Sequence, residues 1–331
     1  MLEKIRKRLK YLLTAAIVLV PCIVTTRIVI VVRYIEDPQT LFFQRDTVVP
    51  QVFNGAVYVI SLLFFLSGLW LNLRFSPRRP RLKRNVSAFR ALEPGHLPVP
   101  ELEESPAPSL PKGLLAHVAR KPSMPSLTAG TRLFFDNQAS STVFSTMLTG
   151  LLFIVAAVFS GVGMMMEGSF SFLSALVFFT ALLSGVYFLL ASARISYPYA
   201  RAFGLFSLMP TLWCVLRLVT DFLDLSQNAN EYSHVLQIAC LLFLTLFFFQ
   251  EGKFTLPDPG VYRFGFCVGA ALAALIVISA VSVPNLLLAS FWMVDFNPGV
   301  FYSLLEFIIG IYIVAKLFGV IRKLDHLQEQ D

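Results

Sequence analysis

Charged residues are scarce in this chain. Asp, Glu, Lys and Arg make up 14% of its 331 residues, against about 25% in soluble globular domains. A water-soluble domain is excluded on that ground. Histidine is scarcer still: His96, His117, His234 and His326 are scattered over a proline-rich loop, a helix end and the tail. No set of them has metal-ligand spacing, so neither a metal nor any other cofactor is expected. The four cysteines, Cys22, Cys214, Cys240 and Cys267, lie singly inside apolar segments, which points to buried, reduced thiols. There is no H-E-x-x-H, no G-x-S-x-G and no phosphate-binding glycine loop with its lysine. Nothing proposes a nucleophile, so the chain reads as a non-enzyme, with a lipid-modifying activity the most distant alternative.

What the chain has in abundance is hydrocarbon. Hydrophobic residues are 56%, mean hydropathy is +0.71, and phenylalanine alone contributes 32 residues. The formal charge of +7 would suggest nucleic acid in a soluble protein. Here topology accounts for it, because Lys and Arg collect in loops on one side of a membrane, and no nucleic-acid partner is expected. The start, MLEKIRKRLK then YLLTAAIVLVPCIV, has the basic-then-apolar order of a signal peptide. The apolar run is long and no A-x-A-like cleavage site follows it, so it reads as a retained first helix.

A segment of about 20 apolar residues is needed to cross the roughly 30 Å hydrocarbon core. By that criterion eight spans are expected, at 11–33, 54–73, 143–166, 170–192, 203–223, 233–250, 262–282 and 299–320. The fold class is therefore an all-α, polytopic transmembrane helix bundle. An even number of spans places both termini on one side. Lys4, Arg6, Lys7, Arg8, Lys10, the run from Arg74 to Arg90, Arg194, Arg201, Lys253, Arg263, Arg322 and Lys323 then share that side. The opposite side holds Arg33 and Arg45 among the acids Glu36, Asp37, Asp46, Glu167, Asp224, Glu231 and Asp295. The positive-inside rule makes the first side cytoplasmic, an N-in, C-in topology in a plasma membrane.

Four regions follow: a two-helix piece over 1–74, a basic loop over 75–141, a six-helix bundle over 142–322 and a tail over 323–331. The loop carries ten of the chain's 19 prolines, too many for a packed core, so it is expected to be disordered or extended. Leu114–Arg120 is a candidate short surface helix within it. Its opening FSPRRPRLKRN has two readings: a topology anchor held against anionic inner-leaflet headgroups, or a docking site for a cytoplasmic protein partner. No internal repeat of the transporter kind is evident, and oligomeric state is not legible.

The fifth span carries the polar features. Phe206, Pro210, Trp213, Arg217, Asp221 and Asp224 are spaced to stack on one helix face, opposite Leu208, Leu212, Val215, Leu218, Val219 and Leu223. Such a stripe should face other helices or a watery cavity, because charge in lipid costs several kcal/mol. Arg217 lies roughly 9 Å and Glu306 roughly 10 Å inside the outer ends of their helices, at 1.5 Å per residue. Arg27 is at similar depth. The expectation is an outer-leaflet network of Arg27, Arg217, Asp221 and Glu306 in which Arg217 pairs with Glu306, with His234 and Gln237 able to join. It either lines a cavity or only fixes helix register, with long side chains snorkelling to the interface. Lys316, near the inner end of the last span, is expected to snorkel inward. Pro21, Pro210 and Pro284 should bend or end helices, Pro210 being the candidate kink beside Arg217. Gly265, Gly269 and Ala273 form a small-xxx-small series that should let a neighbouring helix pack closely.

Glu36-Asp37-Pro38-Gln39-Thr40-Leu41-Phe42-Phe43 and Leu208-Met209-Pro210-Thr211-Leu212-Trp213, with the overall plan, resemble uncharacterised polytopic membrane proteins of Gram-positive, Clostridia-like bacteria. The resemblance implies a plasma-membrane location and no mechanism. Two functions remain: transporter- or channel-like handling of a small solute or ion through the Arg217/Asp221/Glu306 region, or a non-transporting scaffold or accessory subunit whose basic loop recruits a partner. A water-filled path to Glu306 separates them from a dry, mutually satisfied charge cluster.

Overall fold

The computed structural model describes residues 2–37, 42–43, 48–75, 140–167, 171–193, 205–227, 232–253, 264–292 and 298–328. The loop reading for 75–141, including Leu114–Arg120, lies almost wholly outside them. The eight described helices are α1 (Leu2–Tyr34), α2 (Val48–Phe75), α3 (Ser140–Glu167), α4 (Phe172–Ser192), α5 (Met209–Gln227), α6 (Tyr232–Lys253), α7 (Phe264–Trp292) and α8 (Pro298–Gln328). Beyond α1, Ile35–Asp37 pairs antiparallel with Phe42–Phe43.

Seven of these helices are long and apolar enough to cross a membrane. The sequence suggested eight. The exception is α5, which carries Arg217, Asp221 and Asp224 within its 19 residues, too much charge for an ordinary span. Its length of roughly 28 Å still approaches the hydrocarbon thickness.

The bundle is organised around α7. This helix is apolar on every side, and such a helix belongs in an interior. Cys267, Val268, Ala270, Ala271, Leu272, Ala273, Ala274, Ile276 and Val277 are all fully buried. It packs against α1, α2, α6 and α8. The α2 crossing is set by glycine: a Cβ on Gly269 would stand 2.6 Å from the Phe65 carbonyl oxygen, and one on Gly68 would collide with Gly269 and the Gly265 carbonyl. Only hydrogen in those places lets the two backbones approach. Ala273, the third member of the series, is buried further along the same helix.

On the other side, α3 packs on α4 through Gly150 and Gly185, and α8 packs on α3. Aromatic rings fill the space between α3, α4, α5, α6 and α8. Phe153 stacks on Phe188 at 5.6 Å and meets Trp213 edge-on at 5.0 Å, while Phe188 reaches Tyr312 at 5.4 Å and Phe248 at 5.9 Å. At one end of the bundle an ion pair between Arg6 and Asp325 ties α1 to α8.

Two of the three prolines do not end a helix. Pro21 and Pro284 lie inside α1 and α7, which run through them without ending. Pro210 makes no kink within α5, because it is the second residue of that helix. There its missing N–H is one the helix leaves without an intrahelical partner in any case.

Candidate functional site

The interior polar groups fall into separate clusters, and helix geometry decides which residues meet. On α5, Arg217 and Asp221 are four residues apart and therefore neighbours on one face. Arg217 Nη2 lies 3.0 Å from Asp221 Oδ1. The guanidinium carbon sits 3.9 Å from the ring centre of Tyr302 on α8, a cation–π contact. The Arg217 side chain is 21% exposed and that of Asp221 only 5%.

Glu306 is 1% exposed and does not pair with Arg217, contrary to expectation. Its Oε1 accepts a hydrogen bond from Gln237 Nε2 on α6, and its Oε2 accepts one from the Ser282 hydroxyl on α7. The reason is local. Asp221 reaches Arg217 from the next turn of its own helix, leaving Glu306 to neutral donors on two other helices. Asp221, Arg217, Cys214 and Cys240 lie within electrostatic range of this carboxyl. Of the other polar residues suggested for this region, Gln237 takes part. The side chains of His234 and Asp224 lie outside those described.

Arg27 belongs to a different contact. Its Nη1 donates to Asn54 Oδ1 of α2 at 3.3 Å, and its guanidinium lies 5.8 Å from the Phe53 ring centre. Direct contacts divide the four residues, Arg27 with Asn54, Arg217 with Asp221, and Glu306 with Gln237 and Ser282, while Arg217 and Asp221 stay within electrostatic range of Glu306.

A fourth buried cluster, around Glu251, had no counterpart in the sequence reading beyond Lys316. Glu251, near the end of α6, accepts at Oε1 from Lys316 Nζ at 2.6 Å and from the Tyr312 hydroxyl. Glu251 and Tyr312 are buried, and Lys316 is held inside rather than directed to the interface. Tyr312 and Lys316 are one turn apart on α8, so one carboxylate takes both. Glu251 was passed over because it falls one residue beyond the apolar run 233–250. The i,i+4 pair Tyr312/Lys316 was the available signal. Ser282 was passed over as the last residue of its run, whereas α7 continues to Trp292.

Chemically, α6 and α8 carry two buried carboxyl groups toward opposite ends of one seam. Gln237 and Glu251 are 14 positions apart on α6, roughly 21 Å at 1.5 Å per residue. One carboxyl is balanced by an ammonium, and the other, among the described residues, takes its hydrogen bonds from neutral donors. Among the described residues no group of three or more His, Cys, Asp and Glu could hold a metal ion. Comparison with protein-family models, with curated proteins and with solved structures finds no match to the chain.

Proposed function

We propose that the protein is a transporter- or channel-like membrane protein that moves a small solute or ion past the α5–α8 polar layer. The observation that carries this reading is the setting of Glu306. Its carboxyl is buried, and both oxygens are met by an amide and a hydroxyl instead of a cation. A charge in that position is very costly unless something neutralises it. A helix-fixing ion pair would hold its counterion permanently, as Glu251 holds Lys316. Glu306 instead suits a group neutralised by a mobile species. On the charge distribution of the loops, both termini are cytoplasmic and α5 is an eighth crossing element in a cell membrane.

The rival reading, a scaffold or accessory subunit, is favoured by the Glu251–Lys316 and Arg217–Asp221 pairs, which bond within the protein and need no solute. Solid-supported-membrane recordings on proteoliposomes separate the two. Concentration jumps of protons, alkali cations, small carboxylates and small amines should give a transient current with at least one of them, abolished by Glu306→Gln. Wild-type protein silent to the whole panel is the scaffold result.

A further inference from the structure

We propose that Trp213, Arg217 and Tyr302 form a binding site for a small organic carboxylate. The inference rests on the transport reading for its role and adds the substrate class.

Two hydrogen-bond donors bring the site into view. Trp213 is fully buried, yet its indole Nε1–H has no hydrogen-bond partner among the described residues. The same holds for Arg217 Nε. Leaving a buried N–H unpaired costs roughly 1–3 kcal/mol, more for a charged group. Two such donors on one helix face imply an acceptor supplied from elsewhere. Trp213 and Arg217 are one turn apart on α5, and both lie against a single ring. The Trp213 ring is 6.4 Å from the Tyr302 centre and the Arg217 guanidinium carbon is 3.9 Å from it.

The chemistry of these groups selects the ligand. Both unpaired groups are donors, so the ligand brings acceptor oxygens, and one donor is a guanidinium, which favours an anion. Asp221 engages Nη2 of that guanidinium, the nitrogen beside Nε on the same edge, so the ligand shares the guanidinium with a carboxylate. A dianion such as phosphate would set two charges beside Asp221, so a monoanion fits better. The surroundings are aromatic, with Phe153 edge-on to Trp213 at 5.0 Å and Tyr302 beneath the guanidinium. Such neighbours suit a hydrocarbon or aryl tail more than a bare halide. A carboxylate with a short apolar tail meets all of these conditions.

The test uses the full chain in lipid nanodiscs and isothermal titration with benzoate, with heats from empty nanodiscs subtracted. Benzamide serves as the neutral analogue and benzylamine as the cationic one. The expected result is saturable benzoate binding with a Kd below ~10 mM and none by the two analogues. Trp213→Phe keeps an aromatic ring and removes the donor, and should weaken binding about tenfold, the loss of one hydrogen bond to a charged group. Arg217→Met/Asp221→Asn removes the charge pair together and should abolish binding in a folded protein. Wild type without saturable benzoate binding, or Trp213→Phe binding as wild type does, overturns the proposal. Because the titration is at equilibrium, silence in the flux recordings does not bear on it. Equally, absent benzoate binding would leave flux of a different solute standing.

Discussion

Arg217 gives its ion pair to Asp221, one turn along α5, with Nη2 3.0 Å from Oδ1, although the carboxyl of Glu306 belongs to the same layer. A partner on the same helix needs no help from tertiary packing to be found. The pairing divides the interior into one ion pair within α5 and one carboxyl hydrogen-bonded by neutral donors, and the functional reading follows from that division.

The first expectation concerns this pair. Arg217→Met leaves Asp221 buried without its cation and should cost about 3 kcal/mol or more, as removing one partner of a buried pair does. Arg217→Met/Asp221→Asn should recover most of that loss. Thermal unfolding of the detergent-solubilised variants measures both, and equal Tm values for the single and double variants would contradict the pairing.

The Glu251–Lys316 pair should follow the same logic. Glu251→Gln strands Lys316, and Lys316→Met strands Glu251, each at about 3–5 kcal/mol. Glu251→Gln/Lys316→Met should unfold close to wild type. Tyr312→Phe removes a single hydrogen bond to a charged group and should cost less, about 1.5–3 kcal/mol. A double variant no better than its parents would show that the two do not act as a pair.

Close approach of α2 to α7 depends on Gly68 and Gly269. Gly269→Leu cannot be placed against the Phe65 carbonyl without parting the helices, so the expected outcome is a large fall in Tm and in folded yield. Gly163, with open space around its would-be Cβ, supplies the control. Gly163→Ala should be neutral or slightly stabilising, since alanine is the better helix former by about 1 kcal/mol. Equal behaviour of the two variants would contradict the packing.

Glu306→Gln should separate stability from activity. The amide keeps the volume and some hydrogen bonding to Ser282 and Gln237 while removing a buried charge, so Tm should match or exceed that of wild type. Any solute-driven current should vanish. A variant that loses stability and keeps its current would reverse the reading of this residue.

Most of the bundle was legible in the sequence because length and hydropathy decide what can cross a bilayer. The helix pairings were not, because spacing along a helix gives a face and not the neighbour that face meets. The Arg217/Asp221 stripe was visible in its i,i+4 spacing. A distant partner, Glu306, was nevertheless preferred for Arg217 over the local one that the same spacing supplied. Glu251 and Ser282 sat at the edges of apolar runs and were read as span ends, although their helices extend beyond those edges. Pro210 was read as a kink because the span was begun at 203, six residues before α5 itself begins.

The measurement to make before any other is thiol labelling next to Glu306 in intact cells. Gln237→Cys and Ser282→Cys are introduced singly in a background lacking Cys22, Cys214, Cys240 and Cys267, and a membrane-impermeant reagent is added from outside. If Glu306 serves a transported species, both positions react, and a small permeant carboxylate slows the reaction. If neither reacts in folded, inserted protein, water does not reach Glu306, and the polar layer is a structural fastening of the bundle.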